Sequence, residues 1–346
     1  MRLAVPIMAL ASLALVGLAD GAAAPMTASG RQPTYLQGVP LGNQTGLRLI
    51  VANDPPFVVD VDTGRVTPVP GVPSVVGGVQ WVVAVAGRDA VIAGAATGVD
   101  ARLFGVLDHG TRVAPLGNGT VAVGASSGRG VWIRSAPDHA RCRLRQVGLD
   151  GRPMTAPRAF SCGWLDAAGT LGVAVSRARI VDPATDRTVF STRAGIWAVA
   201  GEHVLLVEPG VRFTLVDTPR GTRRQIPWPK AYGGIGQPAV DPRGAYVALS
   251  FGDPFTGPSI PAQVMDVWIL STATGEVTRL PGMPAFVSLK FTSMQWTDDG
   301  RLVLLANRKR GKGTVAVWRP GSKRLALKSL KMPEPNTGSD SFAPIR

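Results

Sequence analysis

Gly124–Ala125–Ser126–Ser127–Gly128 has the G-x-S-x-G spacing of a nucleophile elbow, a strained strand-to-helix turn that exposes a serine hydroxyl. Only Arg129 and Gly130 separate it from the strand-like Val131–Trp132–Ile133, so a hairpin turn is expected there instead. His109, His139 and His203 fall in separate turns or loops, with no acid and nucleophile close by in sequence. Gly311–Lys312–Gly313–Thr314 lacks the spacing of a phosphate loop. Asp60 and Asp62 flank Val61 and would share a strand face, a spacing open to a cation, yet the same residues introduce an Asp-Thr-Gly turn. Asp298–Asp299 sits in a similar turn. Two cysteines and three scattered histidines offer no metal-ligand spacing. The residues therefore assign no catalytic, cofactor or metal site, and no cofactor is expected.

The segments around these residues belong to a β protein. Glycine and proline number 42 and 29, and glutamate occurs only at Glu202, Glu208, Glu276 and Glu334. Glutamate populates helix surfaces, whereas valine, threonine and glycine turns populate sheets. No amphipathic helix of ten or more residues is visible after the N-terminus. Residues 1–24 read as a signal peptide: Arg2 precedes an apolar run from Leu3 to about Gly17, followed by small residues. Pro25 disfavours cleavage after Ala24, which points to Ala19 or Ala23; an uncleaved anchor is the rival reading. No later segment reaches the roughly 20 apolar residues a membrane span needs. Export in turn favours a Cys142–Cys162 disulfide in an oxidising compartment.

One pattern recurs: an apolar strand, a tight turn, then a second strand that often closes on proline. It reads VVDVDTGRVTPVPG around Gly64, FGVLDHGTRVAPLG around Gly110 and QVGLDGRPMTAP around Gly151. Further copies surround Asp186, Gly221, Gly275 and Gly321, giving a mean period of about 43 residues. A second element, in AVDPRGAYVALS (239–250), WLDAAGTLGVAV (164–175) and WTDDGRLVLLA (296–306), supplies the reversal between an inner strand and its neighbour. Four short strands then fit each period. In the sixth copy they are expected at about 235–240, 245–251, 263–271 and 276–280. In the seventh they are expected at about 289–296, 301–307, 313–319 and 324–330.

The turns DPRGAYVA (from Asp241), DVDTGRVTPVPG (from Asp60) and STATGEVTRLPG (from Ser271) resemble those of the β-propeller superfamily, in the style of its WD40, YVTN and TolB-like repeats. No copy carries the Gly-His and Trp-Asp pair of WD40 repeats. The resemblance implies an all-β fold: a single propeller over residues 45–332 with seven four-stranded blades. Six blades is the alternative if 117–162 is an insertion. Residues 25–44 would be a linker or N-terminal extension. The first copy lacks an inner strand of its own. The tail, 333–346, contains Ser339–Ile345, which could supply that strand and close the ring by pairing the chain ends; a disordered tail is the rival reading, since Glu334–Asp340 is rich in turn-forming residues.

Charge supplies the functional expectation. Lysine and arginine outnumber acids to give a net +14, and residues 301–331 hold ten basic residues and no acid. Arg308, Lys309, Arg310 and Lys312 fall in the turn between the second and third strands of the seventh repeat. The matching sixth-repeat segment, Gly252–Pro261, reads as a long proline-rich loop carrying Phe255. These two loops form a candidate partner-binding rim. The expected function is a non-catalytic binding or scaffold module, secreted or associated with the cell envelope. It would act as a monomer on an anionic envelope polymer or a protein partner. The alternative is a propeller-type lyase or hydrolase with its site at the axial channel. The basic runs lack the interleaved aromatics that stack nucleic-acid bases, which argues against a nucleic-acid partner.

Overall fold

The computed structural model describes residues 32–73, 81–85, 89–97, 100–136, 141–208, 212–257, 260–288, 293–309, 312–333 and 341–345. Among them the strands form seven sheets, five of which have four strands. Sheet I joins Phe342–Ile345, Arg48–Val51, Phe57–Asp60 and Val66–Pro68. Sheet II joins Trp81–Val85, Asp89–Thr97, Asp100–Leu107 and Arg112–Gly119. Sheet III joins Val121–Gly124, Val131–Ser135, Cys142–Val147 and Arg158–Phe160. Sheet IV joins Leu165–Ala167, Val173–Val175, Arg179–Val181 and Thr188–Ser191. Sheet V joins Gly195–Ala200, His203–Glu208, Arg212–Asp217 and Thr222–Ile226. Sheet VI is built on Ala239–Val240, Tyr246–Gly257, Ile260–Ser271 and Val277–Arg279. Sheet VII is built on Ser293–Trp296, Leu302–Lys309, Lys312–Trp318 and Leu325–Lys331. The helical content of the described residues is two short turns, Asp108–Gly110 and Gly169–Leu171, and no helix there is long and apolar enough to cross a membrane.

Strand periodicity explains how these sheets pack. Successive side chains point to opposite faces, so a strand apolar throughout must be covered on both sides. Leu302, Leu304 and Ala306 join a buried cluster with Val267, Ile269 and Met265 of sheet VI. Val303 and Leu305, the residues between them, join Leu49, Val51 and Phe57 of sheet I. Ile50, between Leu49 and Val51, instead meets Val82 and Val106 of sheet II. Similarly, Val204 and Leu206 face sheet IV while Leu205 faces sheet VI. The sheets are thus arranged radially, each packed between two others, with their first strands innermost. The fold is a β-propeller.

The C-terminal strand enters this arrangement as the innermost member of sheet I, pairing antiparallel with Arg48–Val51. Phe342 and Ala343 are fully buried, one in the cluster shared with sheet VII and the other in that shared with sheet II. The N-terminal extension is also engaged. Thr34–Tyr35 pairs in parallel with Ala285–Phe286, and Gly38–Pro40 with Leu325–Leu327, strapping the outer parts of sheets VI and VII. Residues 117–162 supply a regular four-stranded sheet.

The repeated turn motif has a local cause. In the first copy Thr63 N–H donates to the Asp60 carboxylate at 2.9 Å, Gly64 N–H donates to the Asp60 carbonyl at 2.8 Å, and Gly64 takes a positive φ of 74°. Asp186, with φ 62°, fills the glycine's place in the fourth copy, as aspartate tolerates that conformation. The Gly124–Gly128 segment is the expected hairpin turn, with Gly128 N–H donating to the Ala125 carbonyl. One expectation needs correction. Residues 252–261 are not a loop: Gly252–Gly257 and Ile260–Pro261 are paired strand, and only 258–259 connect them. Pro254 stands opposite Gln263 and Pro261 opposite Thr256 near the hairpin's end, where lost ladder bonds are tolerated.

Cys142, on the third strand of sheet III, is disulfide-bonded to Cys162, just past its fourth. Replacing both with serine is expected to lower unfolding free energy by about 3 kcal/mol, measured by chemical denaturation. Phe342→Ala is expected to cost about 3–5 kcal/mol, because the cavity opens where the chain ends meet. Unaltered stability in that variant would show that Phe342–Ile345 does not close the fold in solution.

Candidate functional site

Phe255, Arg308, Lys309 and Lys312 lie on the strands of two hairpins in adjacent sheets. Phe255 pairs with Ala262 in sheet VI, and Lys309 pairs with Lys312 in sheet VII. Arg308 lies on the same strand as Lys309, so both hairpin tips extend from the end of the ring that carries the connections between sheets. Arg310 lies outside the described residues, as do the side chains of Phe255, Arg308, Lys309 and Lys312. Asp60 and Asp62 do not form a cation pair. Asp60 closes its own turn and meets Arg48 at 3.5 Å, while Asp62 accepts from Thr45 N–H (2.9 Å), Thr45 Oγ1 and Gly46 N–H (2.8 Å). Desolvation raises both carboxyls, but these donors and the nearby Arg48 and Lys328 outweigh it and hold both below the usual carboxylate range. Asp299 pairs with Arg301, and Asp298–Asp299 is a turn as expected. His203 stands 4.0 Å from Asp217 on the opposite end of the ring, His109 lies in the outer turn of sheet II, and His139 is outside the described residues.

The axial part of the same end as the hairpin tips carries a different group of side chains. Trp164 immediately precedes the inner strand of sheet IV, Trp197 lies on the inner strand of sheet V, and Arg177 occupies the turn between the second and third strands of sheet IV. The Arg177 guanidinium stands 5.1 Å from the Trp164 ring centroid and 5.5 Å from that of Trp197. A guanidinium between two indoles gains from both ring quadrupoles and loses little hydration, since it is weakly hydrated to begin with. Among the described residues no carboxylate reaches salt-bridge distance of Arg177.

Two backbone irregularities create this arrangement. Ser176 and Arg177 have φ of 51° and 54°, and the Ala178 N–H donates to the Val175 carbonyl. That is the condition of a type I′ turn, which normally selects Asn-Gly; here each side chain costs on the order of 1 kcal/mol of strain. The turn is held from both sides, with Ser176 N–H donating to the Trp164 carbonyl and Ile196 N–H to the Arg177 carbonyl, each at 2.8 Å. Between Ile196 and Ala198 the pairing register of sheet V shifts, which makes Trp197 the bulged residue. A bulge re-aims a side chain out of the ladder. The Trp197 Nε1 is buried and has no acceptor among the described residues.

Asp166 follows two residues after Trp164 on the inner strand. Its side chain is exposed, on the inner strand beside the Arg177 turn. Desolvation pushes its carboxyl above the usual range, while the Ala167 N–H and the Arg177 charge pull it down less strongly. A second pair supports the neighbouring linker. Asp266, fully buried, accepts from Tyr232 N–H at 2.9 Å and meets Arg279 at 3.1 Å, and Arg279 stacks 4.6 Å over Trp268. Desolvation outweighs these partners and raises the Asp266 carboxyl as well. Among the described residues no group of three or more His, Cys, Asp or Glu could hold a metal.

Sequence reasoning missed Trp164, Asp166, Arg177 and Trp197 because they come from three segments and form no motif. The one local signal was Ser176–Arg177, a non-glycine pair at a hairpin reversal.

No protein-family model matches the chain, and no curated protein matches it in sequence. Solved structures do. A candidate 6-phosphogluconolactonase from Bacteroides uniformis aligns at 14% identity and TM-score 0.54, over 86% of this chain and 99% of its own. The periplasmic gluconolactonase of Pseudomonas aeruginosa aligns at 13% identity and TM-score 0.51, over 87% of this chain and 99% of its own. TolB from Acinetobacter baumannii aligns at 10% identity and TM-score 0.47, over 88% of this chain and 67% of its own. At these identities the likeness is one of fold.

Because the Asp166 carboxyl has a higher pKa folded than unfolded, the native state holds its proton longer, and stability falls as pH rises through the folded value. Asp166→Asn removes that loss. The variant is expected to match the native chain below about pH 3.5 and to exceed it in stability at neutral pH. Denaturant titrations at both pH values test this, and equal stability at neutral pH would place the carboxylate in bulk solvent.

Proposed function

We propose that this chain is an extracytoplasmic, seven-bladed propeller that serves as a non-catalytic binding module for an anionic partner in the cell envelope. Residues 45–332 would be the propeller, closed by Phe342–Ile345 of the tail, with 1–24 a signal peptide and 25–44 an N-terminal extension. The seven-blade reading is supported by the clusters between sheets. Seven sheets in an open row would share six buried interfaces, whereas seven clusters, each drawn from two sheets, fit a closed ring. The disulfide and the basic, apolar N-terminus support export.

The observation that carries the binding reading is Arg177 clamped between Trp164 and Trp197 on a strained turn. Tryptophan and arginine are the residues that most often dominate binding energy at interfaces. A guanidinium held beside two indoles with no carboxylate at salt-bridge distance among the described residues suits contact with a carboxylate or phosphate. The basic segment Arg308, Lys309, Arg310 and Lys312, whose strands meet at the same end, would add a salt-dependent, orienting attraction.

The test is sedimentation of the purified protein with isolated cell-wall polymer and with phosphatidylglycerol vesicles, at low and physiological salt. Retention is expected on at least one. Arg177→Ala should weaken it about tenfold, and charge reversal at Arg308, Lys309 and Lys312 should reduce its salt dependence. Retention unchanged in both variants, or absent throughout, would overturn the reading.

Asp166 favours one second reading, that of a propeller-type hydrolase with this raised carboxyl as acid or base at the axial channel. Two of the structural neighbours are described as lactonases, so gluconolactone is the substrate to try. Hydrolysis by the native chain no faster than by Asp166→Asn would dismiss it.

A further inference from the structure

On the other end of sheet VII, away from the basic tip, lies a cavity of about 500 Å3 with an unusual wall. The strand Leu302–Lys309 separates the two places, and eight residues of strand span roughly 25 Å. The cavity floor is apolar, formed by Val39, Leu41, Val317 and Ala326. Its polar wall carries Arg301, Arg319, Lys323 and Arg324. The N-terminal strap closes one side, since Gly38–Pro40 pairs with Leu325–Leu327.

Arg301 distinguishes this place from an ordinary basic surface. Its side chain is only 2% exposed. Its Nε meets the Asp299 carboxylate at 3.0 Å and its Nη1 donates to the Thr45 carbonyl at 2.9 Å, which fixes the plane of the guanidinium. Its Nη2 is buried and has no acceptor among the described residues. A buried donor left without an acceptor is costly, and an oxygen brought by a ligand at this place would satisfy it. Asp299 balances one positive charge. Arg319, Lys323 and Arg324 are exposed, and among the described residues none has a carboxylate within salt-bridge distance.

We propose that this cavity binds a small organic anion, an oxyanion head on an apolar body. The head, phosphate or carboxylate, would accept from Arg301 Nη2 and be flanked by Arg319, Lys323 and Arg324. The body would lie on Val39, Leu41, Val317 and Ala326. Planar, fixed guanidinium donors favour such a head over a diffuse charged surface. The site is independent of Arg177 and of the hairpin tips, so its fate and theirs are read separately.

Calorimetric titration of the full chain with hexyl phosphate, hexanoate, hexanol and inorganic phosphate tests the proposal. Hexyl phosphate or hexanoate is expected to bind more tightly than inorganic phosphate, and hexanol to bind least; the tighter of the first two identifies the head. Lys323→Ala with Arg324→Ala, both exposed, should weaken binding about tenfold without changing thermal stability. Arg301→Gln should abolish it; if that variant does not fold, the Lys323/Arg324 pair decides. Failure of both amphiphilic anions to bind, or equal binding by the Lys323/Arg324 variant, overturns the site. Inorganic phosphate binding as tightly as hexyl phosphate overturns the role given to the apolar floor.

Discussion

The structure depends on one constraint: a small sheet apolar on both faces has no stable existence alone. Each sheet here covers the faces of two others, and the alternation of Leu302, Val303, Leu304 and Leu305 between two clusters shows that constraint residue by residue. Packing of this kind is pairwise and local, so it extends naturally from sheet to sheet. It also creates a problem at the chain ends, where one sheet would lack its innermost strand. Phe342–Ile345 solves it, with consecutive residues buried against sheets VII and II while the backbone pairs with sheet I. The parallel pairing of Gly38–Pro40 and Thr34–Tyr35 then covers outer edges that would otherwise be open to other chains.

With the scaffold rigid, function falls to places where a local rule is broken. The Ser176–Arg177 turn and the Trp197 bulge each cost stability, and both are held by hydrogen bonds from flanking connections rather than by their own preferences. The raised Asp166 carboxyl adds a further cost in the same small region. A fold that could use Asn-Gly in this turn and a neutral residue at 166 would be more stable. These three departures from local preference lie together at the axial end, and they are the ground on which the binding proposal rests.

Much of the fold was legible because its signals are local. Turns at Gly64, Gly110 and Gly275 are set by residues within four positions, and the period between copies reports the number of strands in each. The pairing of the chain ends was readable for a related reason, as the first copy visibly lacked a strand. The 252–261 hairpin was misread because proline and glycine usually signal a loop, and only the partner strand shows that pairing continues to Gly257 and Ile260. The axial site was not legible at all. Trp164, Arg177 and Trp197 meet only after two sheets pack, and nothing in the sequence reports a guanidinium lodged between two indoles.

Charge was legible in amount but not in arrangement. The sequence puts ten basic residues within 301–331, and the strand direction places the turn at 308–312 and the group Arg301, Arg319, Lys323 and Arg324 at opposite ends of sheet VII. At one end the backbones of Lys309 and Lys312 pair where the second and third strands meet. At the other, Arg301 is buried and fixed by Asp299 and Thr45, beside an apolar floor and the exposed Arg319, Lys323 and Arg324, where an oriented donor meets little competition from solvent. The same residue types therefore carry different physics according to burial, and the selective end is the one that a count of charges would rank second.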